Sequence, residues 1–258
     1  MLKIVSLKNN INRFIGNVLL SKYSIIAFYF LINKKCLNFY NFKILTKGLD
    51  KKNYIRLLFS FYEKSEMDLI NKYFTDIDTI ELGSGIGCVS GALRVKHKQS
   101  DFRQIMVEAN SENILLAKKN FNFNKVKKKN IFFINRIFVG NVQKKFLEFK
   151  KNKSDLLYGK LYKNSKKRLK RSNIITVDKI IKNFKLKYFN AIIDIEGEEF
   201  NFSYQFFFYF KKCKKLVIEI HSQDYNLVKK LLNKFYKISN LKVKEQRGFV
   251  YYLENLNE

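Results

Sequence analysis

Glycines stand at alternate positions, Gly83, Gly85 and Gly87, where an apolar run beginning at Thr79 comes to an end. Such a turn permits positive φ and brings bare main chain against a ligand. A second apolar run, over residues 104–107, closes in Glu108, about 20 residues further on, the spacing at which an acid after a second strand meets ribose hydroxyls. Four of the chain's ten glycines fall between Gly83 and Gly91, so chance is a poor account of the pattern. The chemistry predicted is a grip on a nucleoside.

A second constellation is acidic. Asp194, Glu196, Glu198 and Glu199 follow the apolar run at residues 191–193, with Gly197 as a turn residue among them. Acids in the first turn of a helix gain ~0.3–1 kcal/mol each from its dipole, which covers Glu198 and Glu199. Asp194 and Glu196 precede that helix and need another reason. Carboxylates this close raise one another's pKa, which makes a base near neutrality. His221, closing the run that starts at Leu216, is the alternative base. Only His97 and His221 exist, and Cys36, Cys88 and Cys213 are scattered, so no metal site and no disulfide framework is expected. A reducing cytoplasm is the plain inference.

These residues need a scaffold that brings strand ends together. Residues 79–82, 104–107, 131–139, 191–193 and 216–220 read as strands, with helices at 88–95 and from Ser111, as its cap, to about 120. Residues 241–244 and 249–253 are close enough for a hairpin. The alternation predicts an α/β fold: a doubly wound, mostly parallel seven-stranded sheet with helices on both faces and an antiparallel C-terminal hairpin. Residues 1–75 form a mainly helical extension, with helices at 9–20 and 64–74, and residues 76–258 the Rossmann-like domain. A basic insertion at about 144–171 interrupts that domain on the side where ligands bind.

The chain has 258 residues, 47% of them apolar, enough for one sizeable core. Its apolar run at residues 25–32 is far short of the ~20 residues that a spanning helix needs. Net charge is +29. An anionic partner such as RNA or an acidic membrane face would suit that excess. The lysines are spread along nearly the whole chain, however, and Pro and Trp are absent while Phe reaches 26, as expected of a compositional bias towards A and T codons.

The turn is neither a dinucleotide fingerprint, which needs a small residue three places after its second glycine, nor a phosphate-cradling loop, which needs Gly-Lys-Ser/Thr. Glu81, Gly83, Gly85 and Gly87 with Glu108 downstream resemble the first motif of the S-adenosylmethionine methyltransferases. Tyr62 and Glu63, Ala109 and Asn110, Asn120 and Asn124, Thr176 and Asp178, the acids from Asp194 to Glu199, and Glu219 with His221 narrow it. Over roughly residues 60–253 the chain resembles the FkbM family of methyltransferases. The departures are Glu81 for the usual aspartate, Ala109 for the usual proline, and a longer basic stretch before Thr176.

That resemblance implies S-adenosylmethionine as cofactor. Glu81, Gly83, Ser84, Gly85 and Gly87 would take its amino-acid end, Glu108 and Ala109 the ribose, Asn141 the adenine amine, and Asp194 would face the methyl group. Asp194, Glu196, Glu199 and His221 are the catalytic candidates for methyl transfer to oxygen. The acceptor expected is a sugar hydroxyl of a glycan or a similar small metabolite. An RNA methyltransferase is the second reading, motivated by the charge, though no proline-containing base-flipping motif and no appended RNA-binding module are present. A cofactor-binding protein without catalysis is the third.

Overall fold

In the computed structural model residues 34–127, 129–140, 147–151, 159–163 and 173–256 are described, the backbone alone for 147–151 and 159–163. Asn141, the expected helix at 9–20, the apolar run at 25–32 and much of the basic insertion lie outside them.

The described chain opens with a tight antiparallel hairpin, β1 (Cys36–Phe39) and β2 (Phe42–Leu45), turned by Tyr40 and Asn41 at positive φ. Helices α1 (Lys51–Leu58) and α2 (Lys64–Tyr73) follow. Then come β3 (Thr79–Leu82), α3 (Cys88–Lys96), β4 (Gln104–Glu108), α4 (Ser111–Phe123) and β5 (Ile131–Asn135). After two short pairs, β6 (Ile137–Phe138) with β9 (Ile174–Ile175) and β7 (Leu147–Lys151) with β8 (Gly159–Lys163), helix α5 (Val177–Asn183) leads to β10 (Phe189–Ile193). The chain closes through α6 (Tyr204–Tyr209), β11 (Cys213–Glu219), α7 (Tyr225–Ser239), β12 (Leu241–Arg247) and β13 (Val250–Asn255).

With no proline in the chain, four of the helices start on short polar side chains. Asp50 starts α1, Asn110 starts α4, Ser203 starts α6 and Asp224 starts α7, each accepting from a backbone N–H of the first turn. The expected cap Ser111 is therefore displaced by its neighbour Asn110, whose amide oxygen takes the Glu112 N–H at 3.1 Å. Asn240, at φ 59, ends α7 in the left-handed conformation.

Seven strands form the central sheet in the order β12-β13-β11-β10-β3-β4-β5. The pairs from β11 to β5 are parallel, and β13 runs antiparallel to both β11 and β12. Every residue of β3, β4 and β10 is buried, as a parallel sheet covered on both faces requires. One face carries the cluster of Ile80, Leu82, Ile105 and Val107 under α5, α6 and α7, with phenylalanines stacked on Phe206 and edge-on to Phe235. The other face packs Met106, Ile192 and Val217 against α2, α3 and the hairpin.

The hairpin is fastened by Asn120 of α4 and by Asn124, which caps that helix. Asn124 accepts from the Lys43 N–H at 2.8 Å and donates to the Lys43 carbonyl at 2.7 Å, imitating a partner strand. Asn120 accepts from the Leu45 N–H at 2.9 Å and donates to the Ile86 carbonyl at 3.1 Å, which ties the hairpin to the glycine turn.

The apolar run at 131–139 is not one strand. It leaves the sheet at Asn135, Arg136 breaks it, and Ile137 and Phe138 pair with Ile174 and Ile175. Strand order reverses between β3 and β10, since the chain builds outwards through β4 and β5 before returning to the other side of β3. In open α/β sheets the ligand crevice opens at the carboxyl ends of the strands flanking such a reversal.

Candidate active site

The carboxyl ends of β3 and β10 meet in contact. The Asp194 N–H donates to the Leu82 carbonyl at 2.9 Å, and Gly83 turns away at φ +85. A Cβ at Gly83 would fall on the Asp194 carbonyl, and one at Gly87 would press Met106 and Phe121 at 3.0 Å. Glycine at these two places is thus required by crowding, while Gly85, at φ +49, faces open space apart from the Tyr62 hydroxyl at 3.8 Å. Bare backbone at residue 85 is what a ligand would meet.

Glu108 ends β4 beside this turn. Its carboxylate accepts from the Gly85 N–H at 2.9 Å and from the Asn110 N–H at 2.6 Å. Burial pushes its pKa up to about 7, with those backbone donors pulling the other way. Turn and acid, recognised by spacing alone, are joined directly.

Around them lies a crevice open to solvent. Gly83, Gly85, Glu108 and Ala109 form one wall and Asp194 and Glu196 another. Val107, Ile137 and Phe138 supply an apolar side, and Tyr62, Glu63, Arg136, Ile195 and Glu198 complete the lining. Glu63 and Glu196 both hold positive φ, 44 and 53, the kind of backbone strain that clusters at ligand sites.

Other expected residues lie elsewhere. Glu81 is buried beneath the turn, where the Ser90 hydroxyl of α3 donates to it, and it does not line the crevice. Burial lifts its pKa to about 8. Ser84 is buried with its hydroxyl unpartnered among the described residues, and Gly87 caps α3. Glu199 and His221 stand behind the crevice wall: Glu199 Oε1 is 3.1 Å from His221 Nδ1. The other ring nitrogen faces Asp194 Oδ1 at 3.6 Å, Glu196 Oε2 at 3.7 Å and Glu219 Oε2 at 3.9 Å. Burial lowers the His221 pKa, but Glu199 and Asp194 outweigh it and carry it to about 9. Asp194 is held well above the ordinary carboxylate range by burial, then by Glu219 and Glu196.

Sequence reasoning gave Tyr62 and Glu63 little weight and passed over Arg136, Glu66 and Glu219 as site residues. Glu66, on α2, is pushed to about 7 by burial and by Glu219. Glu219 was findable, because residues 219 and 221 share one side of a strand by its period of two. Asp194 and Glu196 also line a second chamber, together with Glu66, Glu219, Arg56 and Arg247. Cys36, Cys88 and Cys213 are free thiols, and among the described residues no helix is long and apolar enough to cross a membrane.

No family model matches the sequence, and no curated protein does. Among solved structures, the methyltransferase FkbM from Methylobacillus flagellatus KT aligns over 74% of this chain at 17% identity and a TM-score of 0.48. The chain spans only 46% of that protein's length. TrmK of M. capricolum, in complex with S-adenosyl-homocysteine, aligns over 75% of this chain and 68% of its own, at 13% identity and TM-score 0.40. A methyltransferase from Pyrococcus furiosus aligns over 94% and 96%, at 11% identity and TM-score 0.40.

Proposed function

We propose that this chain is an S-adenosylmethionine-dependent methyltransferase acting on a sugar hydroxyl of a glycan or a comparable small metabolite. The observation that carries the reading is the Glu108 carboxylate, pinned by the Gly85 and Asn110 N–H groups in a crevice that Asp194 also lines. The donor set suits the cofactor. Glu108 matches paired ribose hydroxyls, Val107, Ala109, Ile137 and Phe138 an adenine ring, and Glu63 a cationic group of the amino-acid end, with Asp194 left to face the methyl group. Bound there, the cofactor would supply a methyl group whose transfer to an alcohol leaves a neutral thioether and sets free the hydroxyl proton.

The protein's part is to hold the alcohol and accept that proton. Asp194, with its raised pKa, is the acceptor of choice, and Glu196 beside it orients the hydroxyl. Glu199 and His221 act from behind, through Asp194. The crevice lining favours a neutral polyhydroxyl acceptor over RNA, since it holds Glu63, Glu108, Asp194, Glu196 and Glu198 against Arg136 as the cation among the described residues. The free thiols accord with action in the cytoplasm.

Calorimetric titration with S-adenosylmethionine tests the reading. The wild type should bind one equivalent, and Glu108→Ala should lose roughly 10–100-fold in affinity, the worth of charge-assisted bonds of ~1.5–3 kcal/mol. Absence of binding, or a variant that binds as the wild type does, would sink it.

A further inference from the structure

We propose that Asp194, Glu219 and His221 form a divalent-cation site at the wall between the crevice and the second chamber. One ligand atom from each, a carboxylate oxygen of Asp194, a carboxylate oxygen of Glu219 and a His221 ring nitrogen, lie within 4.8 Å of one another, inside the coordination shell of a single ion. Nε2 is 3.6 Å from the aspartate oxygen and 3.9 Å from the glutamate oxygen, so the three converge on a common point.

Two further observations point to an ion beyond the cluster itself. Asp194 Oδ1 is sealed from solvent yet has no hydrogen-bond partner among the described residues, and it is aimed at Nε2. Glu199, wholly buried, takes Nδ1 of the same ring at 3.1 Å and leaves its own Oε2 unpartnered. A buried carboxylate on one ring nitrogen fixes the tautomer that turns the other nitrogen's lone pair outwards, the support that metal-bound histidines have. Nε2 faces three carboxylate oxygens, and a divalent ion would take the place among them that a ring proton holds in the free protein. One imidazole with two carboxylates and open positions suits Mn²⁺, Fe²⁺ or Zn²⁺. Glu219 also lines the second chamber, which gives the ion a way in.

The site does not depend on the cofactor assignment. Under the proposed function, an ion there would polarise the acceptor hydroxyl and ease loss of its proton.

The test is Mn²⁺ binding to the full-length protein without cofactor, followed by electron paramagnetic resonance of free Mn²⁺ and by calorimetry. One saturable equivalent is expected. Glu219→Gln and His221→Asn should each weaken it by more than tenfold, and Glu199→Gln by roughly 10–100-fold through the ring's orientation. Circular dichroism establishes that each variant is folded. Glu108→Ala should keep the ion while losing S-adenosylmethionine, so failure of one assignment is read separately from failure of the other. No saturable Mn²⁺ binding, or binding that survives both Glu219→Gln and His221→Asn, overturns the proposal.

Discussion

Gly83 and Asp194 are in backbone contact: a Cβ on residue 83 would coincide with the carbonyl oxygen of residue 194. The acids after β10 are therefore positioned by the glycine turn after β3, and neither can shift alone.

Gly83→Ala should accordingly cost about 2–5 kcal/mol, from the left-handed φ together with the backbone clash. Gly197→Ala has comparable φ, +95, but nothing within 4 Å of the added carbon, so strain alone, about 1–2 kcal/mol, is expected. Urea unfolding of the two variants checks the contrast. Equal losses would show that the approach of the two strands is not what demands glycine.

Glu81 and Glu108 give stability a definite pH dependence. Both carboxyls are raised on folding from 4.5, to about 8 and about 7, because burial disfavours the charged forms. Their contribution is full below pH 4.5 and is lost as pH rises through 7 and 8, since the unfolded chain then releases protons that the folded state holds. Glu81→Gln removes the larger share, so its unfolding midpoint should gain on the wild type from pH 5.5 to pH 8.5. A wild type that instead gains with pH would reverse the assignment.

Asp194→Asn separates binding from chemistry. The amide keeps the shape of the wall but loses the basic oxygen, so turnover should fall about 10²–10⁴-fold. S-adenosylmethionine affinity should stay within roughly threefold, a change well under 1 kcal/mol. Comparison of single-turnover rates with calorimetric affinities distinguishes the two, and unimpaired turnover would move the proton acceptor elsewhere.

Phe235 lies against Phe207 at 5.0 Å between ring centroids, and against Phe202 and Phe210 at 6.1 Å. It is fully buried, so Phe235→Ala should cost about 3–5 kcal/mol. Urea unfolding checks the loss; Phe202 also meets Phe138 of the crevice at 6.3 Å, so S-adenosylmethionine binding by the folded fraction should weaken as well.

The parts legible in the sequence were those fixed over short distances. The glycine turn, the acid after the next strand and the turn at Gly197 all carry their signal within one βαβ unit, and the alternation of elements was enough for the sheet. The break at Arg136 was hidden because apolar residues continue on both sides of it, first into the sheet and then into the small pairing with Ile174 and Ile175. Glu66 with Glu219 was hidden for another reason. Their meeting depends on how α2 packs against β11, a contact between distant segments that no local pattern encodes. Glu81 holds a motif position that implies a ligand, and in the fold its carboxylate accepts from the Ser90 hydroxyl.

Asn120 holds the Leu45 amide with one end and the Ile86 carbonyl with the other. A shortened version of the chain starting after residue 46 would free that side chain to swing, and the glycine loop would slacken although no residue of it had been altered. The leading hairpin and the loop thus behave as one mechanical piece, and trimming the former is a way of detuning the latter.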